Sequence, residues 1–368
     1  MIRGRVLLVL AALLLAGCTD PEAESPRAGA TALTLNVPRA VHRATCLGDG
    51  SVLITGGCTE PGCGGFDAGR TAEVFADGRI EPGAQMATSR ASGSATLLTD
   101  GRVLLVGGYP GEGRPPTGSA EVYEPDRGRF VAVGDLTTAR ADHTASLLPD
   151  GRVLVADGFD ATGRAVATTE VFDPEQDAFA AGPALLAARA AHVAVTVGAD
   201  VLLVGGTRRS AALATTALWR NGTWRPGPRL LVARVKLGVA ALGDGRVLVV
   251  GGSTETEGRQ RLDSTEVLTL DAASAAPGPP LTQGAYKLDG AVAVLADGRV
   301  VIASGDGLDV YDPGPGTMTR LPGTTYAAGS FRTVTPVGDD EVLVLGGYDE
   351  SITPTDQAVR VRIPRAAG

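Results

Sequence analysis

The chain has 368 residues, 44% hydrophobic, 20% charged and only 4% aromatic, with 51 glycines and 23 prolines, the composition of a globular, turn-rich β protein. A net charge of −8 and a pI near 5.1 exclude the basic footprint of a nucleic-acid binder. The scarcity of aromatic rings argues in the same direction, against stacked-base recognition, and also against the aromatic platforms common in sugar-binding sites.

At the start, Arg3 and Arg5 precede the apolar run Val6 to Ala16, which is shorter than the roughly 20 residues a membrane span needs and has the layout of a secretory signal. Its end, Leu15-Ala16-Gly17-Cys18, resembles a bacterial lipobox. That resemblance implies cleavage before Cys18 and diacylglycerol on its thiol, with the protein held in the cell envelope, at the outer membrane or cell surface. Residues 1–17 are then a signal peptide and 18–30 a tether, since the stretch Thr19 to Ala30 has no large apolar residue and two prolines. Residues 31–368 are expected to form one domain.

That domain is built on a recurring phrase, clearest as DGRVLLVGG from Asp100 to Gly108. Seven copies end at Gly57, Gly108, Gly158, Gly206, Gly252, Gly305 and Gly347, in steps of 51, 50, 48, 46, 53 and 42 residues. A step near 50 holds four strands and their turns. The apolar runs do not alternate, so both faces of these strands should be covered. We expect an all-β chain: a seven-bladed β-propeller of four-stranded antiparallel blades. Asp-Gly pairs such as Asp150-Gly151 predict two-residue hairpin turns between strands a and b.

Each repeat continues with a strand c phrase, TAEVF at Thr71, SAEVY at Ser119, TTEVF at Thr168, STEVL at Ser264 and GLDVY at Gly307. An aromatic follows seven residues after the last one in Tyr123 with Phe130 and Phe172 with Phe179, and Trp224 serves in the fourth repeat. Four hydrophobics, Gly-Gly and this aromatic pair resemble the kelch repeat over roughly residues 31–364. The resemblance implies a ring like the central domain of galactose oxidase. The last repeat ends in QAVRVRI with no strand d behind it, so Ala32 to Asn36 is expected to supply that strand and close the ring.

Aligning the repeats with one another exposes candidate site residues. A base opens strand a at Arg39, Arg90, Arg140, Arg189, Arg234 and Lys287, with Gly329 in the seventh repeat. These form either an anion-binding ring at the channel mouth or scaffold partners of the strand c acids Glu73, Glu121, Glu170, Glu266 and Asp309. His42, His143 and His192 share one position; blades about 10 Å apart do not converge such residues on one ion, which favours structural histidines over a metal site. Asp157 replaces a repeat glycine, and a hairpin in which Asp157 faces Thr144 gathers Arg140, Asp142 and Asp157, with Asp160 in the next loop. They are read either as a pocket for a cationic or hydroxyl-rich ligand or as a structural network with Arg189. Cys58 and Cys63 bracket a Pro-Gly loop and are expected to form a disulfide, leaving Cys46 a buried thiol. No catalytic motif occurs, so the expected function is an anchored, monomeric module that binds a protein or glycan through its b-to-c and d-to-a loop face. No cofactor or metal is expected; the alternative is an exported oxidase or hydrolase.

Overall fold

The computed structural model describes residues 29–61, 68–324, 326 and 329–365. Seven four-stranded antiparallel sheets form the ring, and no α-helix occurs among the described residues. Blade 3 shows the unit: strand a, Thr144–Leu147; b, Val153–Ala156; c, Thr169–Asp173; d, Ala178–Gly182. Strand b is buried in each blade because neighbouring blades cover both faces, as in Val103–Val106 and Val153–Ala156, with only the first residue half-buried in blades 4, 5 and 7 (Asp200, Arg246 and Glu341). Full burial of each such side chain contributes ~1.5–3 kcal/mol. Cross-strand aromatic pairs join c to d as the repeat implied: Tyr123 with Phe130, Phe172 with Phe179 and Trp219 with Trp224, at centroid distances of 4.9, 5.0 and 5.2 Å.

The N-terminal strand closes the ring. Ala30–Thr34 pairs antiparallel with Gln357–Arg362, outside Glu341–Leu345 and Thr333–Pro336. It starts two residues before the expected Ala32, so Ala30, assigned above to the tether, belongs to the propeller. The signal, the lipobox with Cys18 and the rest of the tether up to residue 28 lie outside the described residues.

The a-to-b turn differs from the sequence expectation. Leu148 N–H bonds Arg152 O at 2.8 Å and Gly151 N–H bonds Leu148 O at 2.9 Å, with Gly151 at φ +83°. This is a three-residue loop, a type I turn closed by a left-handed glycine. The register therefore slips by one: Thr144 faces Ala156, not Asp157. The first hairpin has the same loop, and there Cys46 faces Val52.

The Gly-Gly signature is the joint between blades. At the first glycine of blade 1, Gly56 with φ +67°, a Cβ would meet Arg90 O of blade 2 at 2.4 Å. The N–H of the second, Gly57, donates to the same carbonyl at 2.8 Å. The bond recurs from Gly108 to Arg140 O, Gly158 to Arg189 O, Gly206 to Arg234 O, Gly252 to Ala285 O and Gly347 to Arg39 O.

Candidate functional site

The basic ring is not an open collar. Arg39, Arg90, Arg140 and Arg234 are buried and each bonds the acid of its own strand c, to Glu73, Glu121, Glu170 and Glu266 at 2.6 to 2.9 Å. Each also donates to the carbonyl of the first signature glycine or its substitute: Gly56, Gly107, Asp157 and Gly251. The acids cap two backbone N–H groups of the connection entering strand a, as Glu170 does for Thr137 and Thr138. Burial alone pushes these guanidinium pKa values down, and the carboxylates counter it. The scaffold reading of the arginines is the one the geometry supports.

The three remaining blades depart from this unit in compensated ways. In blade 4, Ala217 stands where the acid would be; Arg189 is answered by Asp157 of blade 3, Nε to Oδ2 at 3.7 Å. In blade 6, Ala285 holds the arginine position, because Gly252 N–H bonds its carbonyl. The guanidinium arrives instead from strand d: Arg320 Nη1 donates to Ser304 O at 2.9 Å and lies 3.6 Å from Asp309. Blade 7 has Gly329 and, opposite Val344 in strand c, Val359, so base and acid are both gone.

Lys287 is thus two positions away from its expected place. It aligns with Asp142 rather than with Arg140, and the sequence offered a misleading base only because blade 6 lacks the arginine. Asp157 is also displaced from the expected pocket. It stands one residue beyond the paired strand at φ +59°, fully buried, with its carboxylate aimed at the next blade. Burial raises its pKa to about 8, against the pull of Arg189 and Arg140. Arg140 and Asp157 therefore sit in a buried ionic network with Glu170 and Arg189, apart from the expected pocket.

His42, His143 and His192 are buried between blades. Each Nε2 meets a hydroxyl of the preceding blade in the ring: Thr333, Ser94 and Thr144, at 3.0, 3.0 and 3.1 Å. Burial depresses all three pKa values, His42 to about 3. No group of three or more His, Cys, Asp or Glu placed to hold a metal ion occurs among the described residues. Cys46 is a free thiol but half-buried rather than buried. Cys58 is buried beside strand a of blade 1, and its expected partner Cys63 lies outside the described residues.

Asp142 leads to the cavity itself. Its structural equivalents are Val41, Ser92, Ala191, Lys236, Lys287 and Phe331, and all seven have φ between +50° and +58°. The left-handed backbone turns each blade's entry toward the axis, where neighbours bond one another: Asp142 N–H to Ser92 O at 3.0 Å, Ala191 N–H to Asp142 O at 3.1 Å, Lys236 N–H to Ala191 O at 3.3 Å. All seven side chains line one axial chamber of about 210 Å³. It opens into a vestibule of about 740 Å³ walled by Gly111 to Pro116 and Asp160 to Gly163. Both cavities lie at the b-to-c and d-to-a loop face.

Two residues further along strand a, Arg43 of blade 1 bonds Asp289 of blade 6 at 2.6 Å and Gly93 O of blade 2 at 2.6 Å. This pair reaches past blade 7 and lies across the lumen. In the chamber, Lys236 Nζ donates to Thr256 O at 3.0 Å, and Lys287 Nζ sits 4.8 Å from the Phe331 ring centroid. Burial lowers both lysine pKa values, with Lys287 adding to the effect on Lys236 and Arg261 to that on Lys287. Burial raises that of Asp142, opposed by its hydrogen bond with Ser92. With Arg43 and Asp289 cancelling, two ammonium groups face one carboxyl group, an excess of positive charge inside a chain of net −8. Asp160 lines the vestibule, where its carboxylate accepts from Thr162 and Arg164 N–H and organises its own loop.

A solved structure shares this ring: that of YjhT. The likeness has a TM-score of 0.57 at 11% identity and covers 88% of this chain and 95% of that one. It supports the fold and carries nothing about ligand or reaction. No protein-family model matches the chain, and no curated protein matches it by sequence.

Proposed function

We propose that the protein is an envelope-anchored kelch-type propeller that binds the anionic end of a ligand, protein or glycan, in the axial chamber, without catalysing a reaction. One observation carries the reading. Seven structurally equivalent residues converge on one cavity and differ freely, Val41, Ser92, Asp142, Ala191, Lys236, Lys287 and Phe331, while the arginines, acids and glycines around them repeat. A scaffold demands recurrence, and variation on a repeated scaffold is where binding residues concentrate. The excess of lysine over carboxylate selects an anion, and Val41, Phe159 and Phe331 add an apolar wall. Cys18 would carry the lipid, residues 19–29 would tether the ring above the membrane, and a Cys58–Cys63 disulfide would brace the loop between them.

The purified full chain should bind anionic members of a glycan and peptide panel. Lys236→Ala with Lys287→Ala should then weaken those ligands at least about tenfold at unchanged melting temperature; unaltered affinity refutes the chamber. Palmitate labelling should disappear in Cys18→Ser. Cys58 and Cys63 should resist alkylation until reduced while Cys46 reacts.

A further inference from the structure

Resting on that reading, we propose that the ligand is an acidic oligosaccharide, a chain of uronic-acid type, whose end enters the axial chamber while its next residues lie in an arginine-lined groove between blades 3 and 4. The groove has a volume of about 900 Å³ and shares Phe159, Thr207 and Thr256 with the chamber, so the two are continuous. Arg164, Arg208 and Arg209 line it, all three exposed and none in an ion pair among the described residues. Three guanidinium groups outside any ion pair gather on one groove, with Asp160 alone acting electrostatically on Arg164, and they run against the charge of the chain. Each presents the fork that matches a carboxylate.

The groove is built rather than incidental. Blade 4 carries a small extra hairpin, Thr207–Arg208 with Ala211–Ala212. Its two-residue turn places Arg209 at φ +50° and Ser210 at φ +65°. Asn-Gly would occupy such a turn at little cost, whereas residues with a Cβ are strained in the left-handed region. On the opposite wall, the Asp160 carboxylate fixes the loop that ends in Arg164.

The chemistry of the walls favours a sugar over a peptide. Both edges of the hairpin are already paired, Thr207 with Ala190 and Ala211 with Glu255, so no free edge remains to receive an extended peptide backbone. What the groove offers is the Phe159 ring and the hydroxyls of Ser210 and Thr256, a mixture that suits the faces and hydroxyl rims of pyranose rings between carboxylates.

Calorimetric titration of the full chain with tetragalacturonate, its methyl ester and tetraglutamate tests the assignment. The acid sugar should bind at least about tenfold more tightly than the other two, and its affinity should fall between about 0.05 and 0.2 M salt. Changing Arg164, Arg208 and Arg209 together to alanine should cost about tenfold or more and flatten the salt dependence. Arg225→Ala with Arg229→Ala, exposed elsewhere on blade 4, should change nothing. Absent binding of tetragalacturonate, equal binding of the ester, tighter binding of tetraglutamate, or an unaffected triple variant overturns the proposal. If the triple variant loses binding while Lys236→Ala does not, the groove stands and the chamber reading falls. The converse removes the groove alone.

Discussion

Replacing Arg234 by Met and Glu266 by Leu, singly and together, tests whether the buried ion pairs exist for one another. Arg234 is fully buried and donates to Gly251 O, Ser264 O, Ser264 Oγ and Glu266 Oε1, the last at 2.6 Å. Glu266 also accepts from Leu231 and Val232 N–H at 2.7 and 3.1 Å. Glu266→Leu strands the guanidinium in a dry site and leaves two N–H groups without their acceptor; Arg234→Met strands the carboxylate. Each should cost ~3–5 kcal/mol. Independent effects would sum to ~6–10 kcal/mol, whereas mutual dependence predicts a double variant near ~3–5 kcal/mol, a coupling of ~3–5 kcal/mol. Blade 7, with Gly329 and Val359 in the two places, is an internal precedent for losing both together. Urea unfolding followed by the fluorescence of the buried Trp219 and Trp224 reports the cycle. Additivity within about 0.5 kcal/mol would refute the argument.

Asp157 has a pKa raised to about 8 in the folded chain, so the fold takes up a proton that the unfolded chain does not hold above pH ~4. Its contribution to stability should be complete below that pH and lost as pH rises through about 8; Asp157→Asn should remove this slope from a melting-temperature series. The histidines run the other way. With folded pKa values below the free value, their contribution is present above pH ~6.5 and lost as pH falls, and their imidazole resonances should not titrate between about pH 5 and 8. Deleting residues 1–36 removes the outer strand of blade 7 and leaves Gln357–Arg362 as an open edge, so light scattering should show self-association.

The ring was legible because burial on both faces of strand b leaves its mark in every repeat and the Gly-Gly joint in five of the seven. The register was not. Asp-Gly fits both a two- and a three-residue turn, and only the hydrogen bond from Leu148 to Arg152 distinguishes them, so Asp157 was put beside Asp142 when it faces Arg189. Ala217 carried the missing signal: an arginine without its acid announces that the charge comes from elsewhere. Arg320 was invisible for the complementary reason, since a guanidinium delivered from strand d to Ser304 O preserves the contact while breaking the alignment. The chamber was not legible, because its assembly depends on a left-handed backbone that Val41, Ala191 and Phe331 do not advertise.

That backbone separates what the rim must do from what it displays. Along the arc from Ser92 through Asp142 and Ala191 to Lys236 the neighbours are joined through N–H and C=O, so that link between blades does not depend on which side chain stands above it. These positions behave as sockets, holding serine, aspartate, alanine or lysine along one repeated main-chain connection. Specificity can change there one residue at a time, and no such step requires the propeller to be folded anew.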